Sequence, residues 1–354
     1  MFEKDTLSAL QARDLAQRIA FGPIVFHAAL ALRDMGILEG LLANDRDGRH
    51  VADVAADAGI SVYGATVLLE SGLGAGLVLK RGELFFATKA AHFVVHDEMT
   101  RVNLNFVRDV CYRGAEDLQA SIIEGRAAGL HHLADTETVY EALGDLAEPA
   151  RTSWFDFDHY YSSAAFPALR PRVLENSPKR LLDVGGNTGK WSCYLAKGSP
   201  DIQVTILDHP NQLQRAAIRA ENDGVGGQVS GVAMDLLDHS KPFPRGVDGV
   251  WMSQFLCCFS EADCAELVRR AREALNDNGE LFILDTFWDK QRYEAATFSL
   301  QQTSLYFTFI ANGTSRMYSA DALQRCVYDA GMHVVEEVNN IGTGHTFWRC
   351  RKRA

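Results

Sequence analysis

The chain has 354 residues, 47% of them hydrophobic, and a formal net charge of −11 at pH 7. A chain of this length can bury a large core and is long enough for two domains. The acidic balance argues against a nucleic-acid partner, because a polyanion is repelled unless one face is strongly basic. The one dense basic run lies at 349–353, so we predict a protein that binds no nucleic acid.

Targeting signals and cysteine usage restrict where the protein works. Charged residues interrupt the first thirty positions, which argues against a secretion segment, and we find no stretch apolar enough to span a bilayer. The seven cysteines are scattered without a C-x-x-C pair, which argues against a disulfide framework and a structural zinc site. The histidines show no joint ligand spacing. We therefore expect a cytoplasmic protein with no membrane contact and no metal.

The N-terminal pattern predicts helices over 7–15 and 21–35, short helices over 51–58 and 62–72, and two short strands within 77–88. This outline is typical of a winged helix. The second short helix contains no Lys or Arg, so it offers nothing to DNA phosphates. Its apolar surplus favours contact with another protein chain.

The predicted secondary-structure pattern changes near residue 172. Before it, the pattern is helical and rich in aromatic residues; after it, strand-like and helix-like segments alternate. Such alternation predicts an α/β fold, a doubly wound and mostly parallel sheet of seven strands, behind an N-terminal helical domain. We expect domains at 1–172 and 173–354. The predicted strands are 180–184, 204–207, 229–233, 247–252, 281–285, 334–338 and 346–350.

A glycine-rich turn follows the first of these strands, with Gly185, Gly186 and Gly189 leading into a helix from Trp191. Glycine allows the backbone to approach a ligand, and a helix start offers free N–H groups to an anion. The spacing differs from the G-x-G-x-x-G of dinucleotide enzymes. Asn187 is compatible with the turn because Asn enters the left-handed region easily.

Acidic residues end the next strands. Asp208 lies about twenty residues past the turn, where a carboxylate can accept hydrogen bonds from both ribose hydroxyls. Asp235 and Leu236 follow the third strand, where they could bind an exocyclic amine and cover an adenine ring. Each acid alone could be an ordinary loop residue or helix cap. Together with Asp183 at the first strand end, they favour an adenosine ligand.

The segments 182–189, 208–210, 234–235 and 253–263 resemble small-molecule O-methyltransferases of the plant caffeate and bacterial antibiotic-tailoring type. The resemblance spans nearly the whole chain. It implies S-adenosylmethionine as cofactor, a homodimer formed through the N-terminal domain, and methylation of an aromatic or phenolic small molecule in secondary metabolism. It also implies these cofactor contacts: Gly185, Gly186, Asn187, Gly189, Asp208, Asp235, Leu236, Ser253 and Gln254.

The chain departs from that family where a histidine serves as general base, since Cys257 occupies its place and cysteine is a poor base. Three hypotheses remain open: in-line placement with another group taking the proton, methylation of an aromatic carbon next to a phenol, and cofactor binding without methyl transfer. O-, C- and N-methylation are not distinguished. The candidates for proton transfer are Asp158, His159, Tyr161 and Asp285.

An aromatic wall with a few polar groups would suit a planar acceptor. Two other classes remain as alternatives: a ligand-sensing winged-helix transcription factor, disfavoured by its uncharged helix, and a nicotinamide oxidoreductase, disfavoured by the glycine spacing. The predicted acceptor-pocket residues are Phe155, Trp288, Gln302, Tyr306, Asn312 and Arg316.

Overall fold

The computed structural model describes residues 4–353. Its contacts divide the chain into two compact units, one ending at Asn105 and the other beginning at Phe106. The helices between 106 and 172 thus belong to the second compact unit. The expected domain division at residue 172 remains a prediction.

The first unit packs helices against a three-stranded sheet with strand order β1-β3-β2. Ser61 begins the fifth helix, because its hydroxyl accepts the N–H of Gly64 at 3.0 Å. The helices and the hairpin predicted here are all present, while the winged-helix assignment stays a prediction. The elements are α1 Ala9–Ala20, α2 Gly22–Asp34, α3 Ile37–Leu42, β1 Arg49–His50, α4 Val51–Asp57, α5 Val62–Gly74, β2 Val78–Arg81, β3 Leu84–Ala87, α6 Lys89–His96 and α7 Glu98–Phe106.

Within 4–353, no single helix is long and apolar enough to cross a membrane. Two pairs of consecutive helices, α1 with α2 and α4 with α5, reach that length and apolar composition only when each pair is counted as one segment. The two helices of each pair are bent relative to each other, by 64° and 111° respectively.

The second unit is built on a seven-stranded sheet with strand order β6-β5-β4-β7-β8-β10-β9. The first five strands in this order are parallel, and β10 pairs antiparallel with both β8 and β9. The predicted mostly parallel sheet is therefore confirmed. The strands are β4 Arg180–Val184, β5 Gln203–Asp208, β6 Val229–Ala233, β7 Val247–Ser253, β8 Leu275–Asp285, β9 Met332–Ile341 and β10 His345–Lys352.

Helices cover both faces of this sheet and enclose two buried apolar clusters. On one face, the rings of Trp191 and Trp251 stack with centroids 4.3 Å apart. Strands buried on both faces explain the continuous apolar runs in the sequence. The helices are α8 Leu118–Glu124, α9 Val139–Ala142, α10 Ala150–Ser163, α11 Phe166–Val173, α12 Lys190–Ala196, α13 Pro210–Asn222, α14 Glu261–Ala274, α15 Glu294–Tyr306 and α16 Ala320–Asp329.

Candidate functional site

The carboxyl ends of five neighbouring strands form one edge of the sheet. The pairing registers place Gly185, Asp208, Ser253 and Asp285 at the ends of β4, β5, β7 and β8, and Asp235 follows β6 by two residues. Neighbouring strands are about 4.8 Å apart, so this row is roughly 19 Å long. Ligands of open α/β sheets bind at this edge.

The turn after β4 has a shape that requires glycine. Gly185 and Gly189 have φ of +71° and +70°, and Asn187 has φ of +50°, the left-handed conformation expected from the sequence. A Cβ at Gly185 would lie 2.3 Å from the ring of Phe255. The turn therefore brings bare backbone to the sheet edge just before α12 begins at Lys190.

A buried carboxylate supports this turn from behind. Asp183 is 2% exposed and accepts the hydroxyl of Ser192 at 2.5 Å. Burial raises the pKa of Asp183 to about 7. A Cβ at Gly186 would lie 2.8 Å from the same carboxyl group. Asp183 thus packs beneath the turn and holds its shape.

Asp208 faces the turn from the next strand. Its Oδ2 accepts the backbone N–H of Asn187 at 2.8 Å, and its Oδ1 accepts that of His209 at 2.7 Å. Burial raises the pKa of Asp208. The Oδ1 atom of Asn187 is buried and receives no hydrogen bond from the described part of the chain. Acceptor oxygens are thus concentrated between β4 and β5.

The end of β6 is tied to Asp208, because Met234 donates its N–H to the Asp208 carbonyl at 3.1 Å. Asp235 is exposed and accepts the backbone N–H two residues further on at 2.9 Å. Leu236 is buried, and its carbonyl accepts Arg270 Nη1 at 2.6 Å. The structure therefore places an exposed acid and a fixed apolar side chain next to Asp208.

On the other side of the turn, β7 ends at Ser253, and Gln254 has φ of +47°. The Gln254 N–H donates to the Leu284 carbonyl at 2.7 Å, which ties this loop to β8. A short 3₁₀ turn, Leu256–Cys258, follows. This loop carries Cys257 to the end of β8.

Cys257 meets Asp285, and both side chains are buried. Asp285 Oδ1 accepts the N–H of Thr286 at 2.8 Å, whereas Oδ2 accepts no hydrogen bond from residues 4–353. Burial raises the pKa of Asp285 to about 7, although Thr286 and Cys257 favour its charged form. A hydrogen bond with Cys258 and burial both raise the pKa of Cys257. The thiol therefore stays protonated where the carboxyl can exchange a proton.

Aromatic side chains from distant segments collect in the same apolar cluster as Cys257. Trp154 on α10 donates its Nε1–H to the Tyr306 hydroxyl at 2.7 Å. The ring of Phe106 stacks on Phe157 with centroids 4.1 Å apart and meets Tyr306 edge-on at 5.0 Å. We call Phe106, Trp154, Phe157 and Tyr306 the aromatic cluster.

The α10 candidates for proton transfer lie near the start of α12. Burial raises the pKa of Asp158 to about 6, and the charge of Lys190 opposes this. Burial lowers the pKa of His159, and the charges of Lys190 and Arg219 lower it further. The ring of Tyr161 packs against the ring of Phe157, with centroids 5.0 Å apart. Their catalytic roles remain predictions.

Of the predicted acceptor residues, Tyr306 belongs to the aromatic cluster, and Phe155 packs its ring on Trp154 at 5.1 Å. Trp288 is partly buried in the 3₁₀ turn Trp288–Lys290. Gln302 is exposed on α15. Of these four residues, the structure therefore places Tyr306 and Phe155 with the aromatic cluster.

The last two predicted acceptor residues have partners within the chain. Asn312 donates Nδ2–H to the Cys258 carbonyl at 2.7 Å and accepts the Ser315 hydroxyl at 2.8 Å. Arg316 is half exposed and pairs with Glu261 at 2.6 Å. Asn312 thus fixes the loop that carries Cys257, and Arg316 lies in a surface ion pair. Their role in acceptor binding stays untested.

Two family models match the chain, one for each compact unit. Residues 13–85 match the Dimerisation2-like domain, and residues 169–332 match the O-methyltransferase domain. The chain belongs to the S-adenosylmethionine-dependent O-methyltransferase family. The resemblance stated from sequence motifs is thereby confirmed, and this methyltransferase uses S-adenosylmethionine as its cofactor.

Two relatives match most of the chain. This methyltransferase is 22% identical over 319 residues to L-tyrosine C(3)-methyltransferase of Streptomyces lavendulae, covering 89% of this chain and 85% of the relative. It is 23% identical over 313 residues to 3-hydroxy-5-methyl-1-naphthoate 3-O-methyltransferase of Streptomyces sahachiroi, covering 88% and 87%.

Two solved methyltransferases share the fold. The apo structure of the S-adenosylmethionine-dependent methyltransferase SibL has a TM-score of 0.71 at 22% identity, covering 95% of this chain and 98% of that one. The O-methyltransferase NcsB1 from neocarzinostatin biosynthesis, solved with S-adenosyl-L-homocysteine and 1,4-dihydroxy-2-naphthoic acid, has a TM-score of 0.68 at 19% identity, covering 99% and 100%.

The residues at the sheet edge fit the cofactor of this methyltransferase. A nucleoside with an amino-acid tail offers ribose hydroxyls and charged groups, and the edge offers the acceptor oxygens of Asp208 and Asn187 beside the exposed backbone of the turn. The buried, unpaired Oδ1 of Asn187 needs a donor, because a buried polar atom without a partner is costly.

Some residues at the site were missed by sequence reasoning. Tyr140, on α9, is partly buried with its hydroxyl oxygen inside, near Cys258 and Tyr306, and burial raises its pKa well above the ordinary value. No motif marks Tyr140, because only the fold brings it to this place. Lys190 did carry a signal, since a cation directly after a glycine turn stands at the sheet edge.

Proposed function

We propose that this methyltransferase methylates a small aromatic acceptor carrying a phenol, at the oxygen or at the neighbouring ring carbon, in secondary metabolism. The observation that carries the proposal is the buried carboxyl of Asp285, with one unpaired oxygen, at the row's end nearest Cys257. The chemistry of two relatives supports it, because one is named for methylating carbon of tyrosine and the other for methylating oxygen of a naphthoate.

In this proposal, the turn and the acids of β5 and β6 bind the cofactor. Asp208 accepts hydrogen bonds from the ribose, and Leu236 packs on the adenine while Asp235 accepts from its amine. Gly186, Asn187 and Gly189 with the start of α12 bind the amino-acid end, and Ser253 and Gln254 line the side toward β8. When bound, S-adenosylmethionine supplies a methyl group on a positively charged sulfur.

The proton leaves toward Asp285. Forming the new bond to oxygen or carbon requires the acceptor molecule to lose one proton, and Asp285 Oδ2 is a buried, unpaired carboxylate oxygen at this end of the sheet edge. A base works best when its pKa lies near the working pH, and burial brings that of Asp285 to about 7. Cys257 keeps its proton and favours the charged carboxylate.

The aromatic cluster fits the acceptor's ring. Aromatic rings pack edge-on or offset at centroid distances of about 4.5–7 Å, and the cluster already contains such pairs. It shares one apolar cluster with Cys257, so a ring packed there would lie on the Asp285 side of the site. The low dielectric constant of these apolar surroundings strengthens the attraction between a phenolate and the positively charged sulfur of the cofactor.

A homodimer is the second part of the proposal. All twelve residues of α1 are exposed, including Leu10, Leu15 and Ile19, and α2 leaves Ile24 exposed. Exposed apolar helices of this kind mark a protein interface, and the Dimerisation2-like match supports the same conclusion. We also propose that the acceptor contains an aromatic ring and that the protein is cytoplasmic. The seven free thiols support the cytoplasmic location.

The test follows the methyl group. Purified protein is incubated with cofactor labelled with ¹³C in the methyl group and with a panel of tyrosine, hydroxynaphthoates and hydroxybenzoates. We expect label on a phenolic oxygen or on the adjacent carbon, distinguished by NMR shifts. Cofactor that binds in calorimetry while every acceptor and a cell extract remain unlabelled would contradict methyl transfer. Label on an amine would contradict the phenolic acceptor.

A further inference from the structure

Three side chains with metal-binding atoms, none of them among the sheet-edge residues described above, meet at the surface of the second unit. Asp117 ends the 3₁₀ turn Gly114–Asp117, and His131 and His132 end the 3₁₀ turn Ala128–His132. His132 Nε2 lies 3.2 Å from Asp117 Oδ2, and His131 Nδ1 lies 3.8 Å from the same oxygen. One ligand atom from each lies within 4.8 Å of the others.

These distances suit one ion. Bonds of about 2.0–2.2 Å in tetrahedral geometry separate two ligand atoms by roughly 3.3–3.6 Å, and the two distances to Asp117 Oδ2 bracket that value. Two imidazoles and one carboxylate suit zinc, nickel and copper, whereas magnesium and calcium prefer oxygen ligands. We propose that Asp117, His131 and His132 bind a divalent transition-metal ion, with water completing its coordination.

The site is reachable from solvent and can adjust. The side chain of His131 is 63% exposed, and those of His132 and Asp117 are 29% and 31% exposed. His131 Nδ1 lies 2.7 Å from the Ala128 carbonyl. A ligating nitrogen must be unprotonated, so binding through Nδ1 replaces this contact, and the exposed ring has room to turn.

The ion joins two turns that are already packed tightly. A Cβ at Gly129 would lie 2.4 Å from the Gly114 carbonyl oxygen, and a Cβ at Gly114 would lie 2.3 Å from Ile310. Ile310 belongs to the π-helical turn Phe307–Ala311, directly after Tyr306 of the aromatic cluster. Binding therefore stabilises the turns that support this cluster.

The test is a titration of the metal-free, tag-free full chain with Zn²⁺, Co²⁺ and Mg²⁺. We expect one equivalent of Zn²⁺ in calorimetry, visible Co²⁺ absorption typical of a site with nitrogen ligands, and no Mg²⁺ binding. Zinc should raise Tm, because an ion that binds only the folded state stabilises it. Hydrogen exchange should slow over 114–132 when Zn²⁺ is added.

Variants decide which residues bind. His132→Ala and Asp117→Ala should each weaken Zn²⁺ binding at least ~10-fold and remove the Tm increase. His92→Ala is the matched control, because His92 and His96 are exposed on α6 with ring centroids 4.9 Å apart. Zinc binding unchanged in His132→Ala, lost in His92→Ala, or absent from the parent protein would overturn the proposal. Circular dichroism of each variant checks the fold.

Discussion

The two halves of the sheet edge are built differently. At the ends of β4 and β5, backbone conformation makes the site: left-handed residues, a glycine that packs on Phe255, and Asp208 accepting two N–H groups. At the ends of β7 and β8, buried side chains make it, with Cys257 and Asp285 beside aromatic rings from distant segments. Substitutions should therefore affect cofactor binding or shape in the first half and turnover in the second.

Asp285→Asn should show the largest effect. The amide cannot accept the acceptor's proton, so we expect kcat to fall by ~100-fold or more while cofactor affinity is unchanged. In the parent protein, kcat/KM should rise with pH and level off above about 7, because the charged carboxylate is the active form and burial places its pKa there. Kinetics across pH with the identified acceptor, together with calorimetry, measure both.

A loss smaller than ~10-fold, with the pH profile retained in Asp285→Asn, would show that another group takes the proton. Asp158, whose pKa burial raises to about 6, would then be the next residue to test.

Asp208→Ala should weaken cofactor binding at the ends of β4 and β5. Removing a carboxylate that accepts hydrogen bonds costs about 2 kcal/mol or more, so we expect cofactor affinity to fall at least ~30-fold. Asp201→Ala is the control, because Asp201 is exposed, precedes β5 and pairs only with Lys179 at 3.0 Å among the residues the structure describes. Equal affinities for both variants and the parent in calorimetry would contradict the ribose role.

Gly185→Ala separates close packing from backbone conformation. The new Cβ would meet the Phe255 ring at 2.3 Å, whereas Gly224 has the same φ of +71° with nothing within 4 Å. Gly224→Ala should cost about 1–2 kcal/mol of unfolding free energy for the left-handed conformation alone. Gly185→Ala should cost about 1–3 kcal/mol more, because overpacking adds to it. Urea unfolding of both variants measures the difference, and equal losses would contradict it.

Cys257→Ala should have the smallest effect on turnover. The raised pKa keeps the thiol protonated, so it takes no proton, and kcat should stay within ~10-fold of the parent. Cys193→Ala, another buried cysteine, is the control for loss of packing. A fall of more than ~100-fold in Cys257→Ala alone would assign a base role to the thiol.

The backbone at the ends of β4 and β5 could be predicted from the sequence, because its shape depends on local requirements. A left-handed Asn187, glycines at fixed positions and an acid at the end of β5 are all visible as residue types after apolar strands. Strand alternation also predicted the sheet and its last two strands, β9 and β10, because period and turn signals are local.

The surroundings of Cys257 and Asp285, at the ends of β7 and β8, could not be predicted to the same depth. Tyr140 and Trp154 reach Cys258 and Tyr306 through long-range packing, which no spacing reports. The sequence predicts Asn312 and Arg316 as polar residues of the acceptor pocket, yet each has a partner that only the fold reveals.

The proposed metal site also depends on residues that only the fold brings together. His132 and Asp117 are 15 residues apart, and the two 3₁₀ turns on either side of α8 bring them together. Ligand spacing within one helix or loop is what sequence rules recognise, so the pattern predicted no metal.

The central claim is that the edge formed by β4, β5 and β6 binds the cofactor and places its methyl group toward Asp285. A crystal structure with S-adenosyl-L-homocysteine and a methylated phenol tests it most directly. We predict ribose hydroxyls within hydrogen-bond distance of Asp208, adenine against Leu236, and the phenol oxygen near Asp285 Oδ2. A nucleoside bound elsewhere, with Asp208 still bonded only to the N–H groups of Asn187 and His209, would contradict the account.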